Sequence, residues 1–212
     1  MDPEVRWWLV AGLVAAAVAV PLVLASPGND LDVGNVFRSG RGIVRHLTYV
    51  PSRPPGSPVH ETVVGMADLA AGPVLTNLVT VAAAVGLVWS LHALLRDAGL
   101  GRARRWGVAV VVANPWFIVA ATSTADYVLA LAFALGAAVA LRRDHALLAG
   151  ALAAASMGSR VGSITLLAAL AVAELTEGRH TWRRVTTMGL VAAALTTLTF
   201  VPSVLEAGGL SF

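Results

Sequence analysis

Cysteine and lysine are both absent from the 212-residue chain. Without cysteine there is neither a disulfide framework nor a thiolate metal site. Without lysine, all fifteen basic side chains are arginine. Charge of either sign is scarce: 13% of residues are charged against 57% hydrophobic, too little polar surface to cover a soluble core of this size. The arginines sit in short clusters between apolar runs and the formal net charge is only +3. That distribution gives no basic face and argues against nucleic acid as a partner. What the chain has instead is apolar runs of about 20 residues, the length a helix needs to cross roughly 30 Å of hydrocarbon.

The runs lie at about Trp7–Ala25, Pro73–Leu95, Trp106–Ala121, Tyr127–Leu141, His145–Met157, Val161–Leu175 and Met188–Leu205. The expected fold class is therefore all-α, a polytopic transmembrane helical bundle of about seven spans forming one domain over residues 1–212. Val23 and Ala25 resemble the small residues of a signal-peptidase site, but Asp2 and Glu4 outweigh Arg6 where a signal peptide needs positive charge, so the first run reads as an anchor. The His145–Met157 run is short and is open to a re-entrant reading.

Arginine placement orients the stack. Arg96, Arg102, Arg104 and Arg105 follow the second run, Arg142 and Arg143 the fourth, and Arg179, Arg183 and Arg184 the sixth. Short loops holding arginine stay in the cytoplasm. The expected placement is thus the plasma (cytoplasmic) membrane, with a cytoplasmic N-terminus and an extracytoplasmic C-terminus. Residues 26–72 form the long outer loop, and long loops obey the charge rule weakly. Within it Val33, Val36, Phe37, Val44 and Leu47 recur at helical spacing, while Arg38, Arg41 and Arg45 take another face. This pattern predicts an amphipathic helix in the membrane interface, apolar side down, with membrane lipids as a partner. Its arginines either meet ordinary anionic lipid or grip a particular phosphate, for which a guanidinium fork is suited.

Three acids join them on the same predicted side. Asp30 and Asp32 follow the first run and Asp126 precedes the fourth. Asp32 and Asp126 also stand where helix caps are expected. A carboxylate at a membrane boundary otherwise meets water or does chemistry. Sugar transfer from a phosphate leaving group needs a carboxylate to accept the acceptor's proton and positive charge to stabilise the departing phosphate. His46, His60 and Glu61 lack the fixed spacing of a metal site, so no metal ligands are assigned and no cofactor is required, a divalent cation being only weakly supported.

The order of first span, Asn29-Asp30-Leu31-Asp32, interfacial helix and Tyr49-Val50-Pro51-Ser52-Arg53-Pro54-Pro55-Gly56-Ser57-Pro58-Val59-His60-Glu61 resembles the N-terminal half of GT-C fold glycosyltransferases. That superfamily includes protein O-mannosyltransferase and aminoarabinose transferase relatives. Asn114-Pro115-Trp116 with Ser123-Thr124-Ala125-Asp126-Tyr127 is similar to their third-to-fourth span hairpin, and Gly158-Ser159-Arg160 to a later arginine-bearing turn. The resemblance implies a polyprenyl-phosphate-linked sugar donor, an acceptor on the outer face, and catalytic acids at Asp30, Asp32 and Asp126. Substrate contacts are expected from Arg38, Arg41, Arg45, Arg53, His60, Glu61 and Arg160. The proline-rich run also has a mechanical reading, since Pro54, Pro55 and Pro58 stiffen the chain where it re-enters the membrane.

Members of that superfamily continue well past seven spans, whereas this sequence stops at Phe212. A shortened relative or a fragment is expected, with a protein partner supplying the missing C-terminal elements. Two other classes stay open: a secondary transporter, which would place ionisable groups near mid-span and show related halves, and a non-catalytic membrane scaffold.

Overall fold

The computed structural model describes residues 3–28, 31–178 and 182–206; Asp30 and Arg179 lie outside them. Among the described residues all regular structure is α-helical: α1 (Pro3–Ala25), α2 (Leu31–His46), α3 (Pro58–Asp97), α4 (Ala103–Val112), α5 (Pro115–Ala121), α6 (Asp126–Arg142), α7 (Ala146–Ser159), α8 (Ser163–Thr176) and α9 (Trp182–Glu206).

Three of these, α1, α3 and α9, are long and apolar enough to cross a membrane, or four if α5 and α6 form one bent span. The chain is a helical membrane protein on that ground, although fewer helices meet the length test than the seven runs of the sequence. The reasons are local. The third run breaks at Ala113–Asn114, where Pro115 cannot continue the ladder and Asn114 Oδ1 accepts the Trp116 N–H at 2.9 Å to start a new helix. The resulting α5 meets α6 at 96°. The fifth and sixth runs form α7 and α8, each 14 residues, or about 21 Å of helix.

Residues 26–72 are less of a loop than expected, because α3 begins at Pro58 and its first segment reaches the kink at Ala71–Gly72. Gly72 takes φ +73° there, a conformation open to glycine, and the following Pro73 disfavours helical geometry in the residue before it. The segment 58–70 then packs against α2. Val36 and Phe37 of α2 bury against Val64, with Val33 alongside. The predicted apolar face thus turns mainly onto protein rather than lipid, which corrects the sequence reading; Val44 and Leu47 at its C-terminal end are the part left exposed. Gly40 and Gly65 mark the crossing, where a Cβ on Gly40 would lie 2.7 Å from the Gly65 nitrogen. A side chain at either position would force the backbones apart.

The remaining helices run between two ends of the molecule. At one end Asn77, just past the kink, donates to Val23 O (2.9 Å) and Ser26 O (3.0 Å) and accepts from Thr124 Oγ1 (3.1 Å). The Thr124 N–H donates to Pro27 O at 2.8 Å. The end of α1, the kink of α3 and the turn before α6 are therefore tied together. At the opposite end Trp8 packs edge-on against His92, Arg142 pairs with Glu174 at 2.5 Å, and Arg184 pairs with Asp144. Between the ends, small residues let helices approach closely. Ala134, Ala137, Ala153 and Ala192 fill one core and Ala140, Ala149 and Met188 another. By contrast α1 faces outward along most of its length, with 6% of its apolar window buried, as suits a helix solvated by lipid.

Candidate functional site

Asp126 opens α6, and its position follows from the turn that precedes it. Thr124, pinned by Asn77 and Pro27, hands the chain to Ala125 in extended geometry, and Ala125 rather than Asp126 is the N-cap residue. The Asp126 side chain is 5% exposed and is not spent on capping. It accepts from Arg53 Nη2 and from Arg160 Nη1, the latter at 3.2 Å and 3.3 Å to its two oxygens. Arg53 also donates from Nη1 to Asp32 Oδ2 at 3.0 Å. Asp32, Arg53, Asp126 and Arg160, four residues far apart in sequence, thus form one chain of alternating charge.

Each member is placed by a different element. Asp32 lies in the first turn of α2, where a carboxylate suits the positive end of the helix dipole. Arg160 follows α7 in extended conformation. The α7 terminus is itself fixed, since Ser156 Oγ donates to Ala130 O of α6 at 2.8 Å and Gly158 leaves room for Val59 of α3. The Arg160 guanidinium stacks 4.0 Å from the Tyr127 ring centre, a contact that holds its plane beside Asp126.

Arg53 is held by a clasp that the sequence did not disclose. Glu61 is fully buried; its Oε1 accepts the Ser52 N–H (3.1 Å) and Ser52 hydroxyl (2.5 Å), and its Oε2 accepts Ser39 Oγ (2.9 Å). One carboxylate therefore joins α2, the 47–57 loop and α3 at the residue preceding Arg53. Tyr49 is buried beside it, and burial together with the nearby Glu61 pushes its phenol above the ordinary range. Gly56 faces the Tyr49 ring at φ +100°, where a Cβ would collide with the phenol, so the loop's turn needs glycine.

The electrostatics of Arg53 balance two effects. Burial works against its charge, but Asp126 and Asp32 outweigh it, so the guanidinium is held more firmly protonated than an isolated arginine. Exposure is uneven across the cluster: Arg53 and Arg160 are 35% and 37% exposed and Asp32 48%, while Asp126 lies behind them. An incoming group meets the cations and Asp32 first.

Other residues expected at the site take different places. Arg41 forms a two-pronged pair with Asp68 (2.5 and 3.1 Å), whose hydrogen bond and charge raise the arginine's pKa. Arg38 lies exposed on α2, 3.4 Å from Asn35 Oδ1, and Arg45 is exposed near its end. None of the three has a described contact with Asp126. His60 is buried in the first turn of α3, close enough to Asp126, Glu61 and Arg53 to feel their charges, and lines a small cavity of about 10 Å³ with Thr76 and Thr80. Glu61 is enclosed, with both carboxylate oxygens engaged by Ser39 and Ser52. Among the described residues no group of three or more His, Cys, Asp or Glu is arranged to hold a metal ion.

No family model matches the chain, and neither a curated protein nor a solved structure matches it.

Proposed function

We propose that the protein is a membrane glycosyltransferase of the GT-C kind, moving a sugar from a polyprenyl-phosphate-linked donor to an acceptor on the outer face. The observation that carries this reading is the buried Asp126 carboxylate set between two half-exposed arginines at the end of the molecule where α1, α2 and the 47–57 loop meet. In the reaction the acceptor oxygen attacks C1 of the sugar and its proton passes to Asp126. The bond from C1 to the phosphate oxygen breaks, and the phosphate departs with the electron pair, its charge met by Arg53 and Arg160. Asp32, on the other side of Arg53, is the further acid of the site.

Two features support the lipid character of the donor. An open apolar groove of about 790 Å³ lies between α7, α8 and α9, lined by Ile164, Leu167, Ala171, Ala192, Phe200 and Val204. One of its lining residues, Ile164, lies in the first turn of α8, directly after the turn that carries Arg160. The two charged ends also favour seven crossings: α1, the second part of α3, α4 with α5, and α6 to α9 each lead from one end to the other. In that arrangement the arginine-rich end is cytoplasmic in the plasma membrane and the Asp126 end faces out.

The same groove favours a second reading, a scaffold that receives a helix of a partner protein. Reconstituted full-length chain supplied with a polyprenyl-phosphate sugar and a hydroxyl acceptor distinguishes them. Transfer that is lost in Asp30→Asn, Asp32→Asn or Asp126→Asn with expression and melting unchanged supports the enzyme. Absence of transfer across a panel of such donors supports the scaffold.

A further inference from the structure

The Arg53 and Arg160 pair is the kind of site that binds an oxyanion, and one of its ligands is already present: Asp126. Both guanidinium groups point donors at the same carboxylate, and Arg53 spends a second donor on Asp32. Two acids and two arginines cancel, so the cluster is neutral and internally satisfied. Yet the exposure is arranged the wrong way round for a purely structural network. The arginines are each more than one-third exposed and the acid between them is covered. Arg160 offers Asp126 one nitrogen only and keeps its plane fixed over Tyr127. Its remaining donors are available to a ligand without the side chain having to move.

We infer that Asp126 and Asp32 are competing internal ligands of an anion site, and that a phosphate oxyanion arriving at Arg53 and Arg160 displaces them. This deepens the transferase reading and rests on it for its biological meaning. While both guanidinium groups hold Asp126, its oxygens are occupied by their donors; a phosphate that takes those donors frees the carboxylate to meet the acceptor hydroxyl. The shared ligand chemistry is a phosphate oxyanion, whether on a lipid or free.

The test is equilibrium binding to the detergent-solubilised full chain, with a short-chain polyprenyl monophosphate and inorganic phosphate as separate probes. Asp126→Asn, which removes the competing charge, is expected to bind the lipid phosphate about tenfold more tightly than the native chain, although it is expected to lose transfer. Asp32→Asn, at a position 48% exposed, should tighten binding in the same direction, and Arg160→Ala should weaken it. Unchanged or weaker binding in folded Asp126→Asn overturns the inference. Should that variant fail to fold, failure of Asp32→Asn to tighten does so. Inorganic phosphate binding as tightly as the lipid probe overturns the lipid as the source of the anion. Native transfer without tightening in the variants sinks the inference and leaves the transferase reading standing; tightening without native transfer does the reverse.

Discussion

Replacing Glu61 should release the 47–57 loop without unfolding the bundle. The carboxylate receives three hydrogen bonds from two elements, with none of its surface exposed, so solvent cannot substitute for it. In Glu61→Gln the side chain keeps an oxygen for Ser52, and the Ser39 hydroxyl can turn to accept from the new amide. The expected cost is about 1 kcal/mol, the value of a single altered hydrogen bond. In Glu61→Ala the Ser52 N–H and hydroxyl and the Ser39 hydroxyl lose their acceptor and a cavity opens. At roughly 1 kcal/mol for each of the three orphaned groups, the sum is about 3 kcal/mol, confined to the junction of α2, the loop and α3. Hydrogen exchange in detergent reads this directly: amides of residues 47–57 should exchange about 100-fold faster in the alanine variant while α6 to α9 keep their protection. Equal behaviour of the two variants, or protection lost evenly over all helices, would refute the clasp.

Asn77→Leu removes three hydrogen bonds while keeping the branching of the side chain and should cost about 2 kcal/mol at the values found within membranes. It should be seen as slower cross-linking between cysteines placed in α1 and α3. Gly40→Val drives two methyl groups into the Gly65 backbone and should cost about 1–3 kcal/mol. Faster exchange along α2 is the readout, and Gly34→Ala, with open space around it, serves as the control.

The sequence announced the helical membrane character through run length and the α2 helix through its period, because both signals are local. It also brought Asp32, Arg53, Asp126 and Arg160 into consideration, since charge is rare enough in this chain for each instance to stand out. It did not show which charges pair. Arg38, Arg41 and Arg45 looked equivalent along the helix, and only the approach of α3 separates Arg41, held by Asp68, from the other two. Glu61 was visible as an acid but not as a buried clasp, because its partners Ser39 and Ser52 carry no motif. The one signal available for these contacts was a lone carboxylate or amide inside or beside an apolar run, as at Asp68 and Asn77. Helix lengths escaped for a related reason: Pro115 and Asn114 end α4 by local chemistry that a hydropathy run passes over.

The proposed site requires the segment 26–72 and the Asp126 turn to share the outer face, with the arginine-rich end in the cytoplasm. A chain without native cysteine suits single-cysteine labelling. Thr48→Cys and Ser123→Cys should both react with an impermeant maleimide in intact cells, and Arg102→Cys and Glu177→Cys should react only after the membrane is opened. Labelling of Thr48→Cys and Ser123→Cys from opposite sides, or both from the cytoplasm, would contradict it.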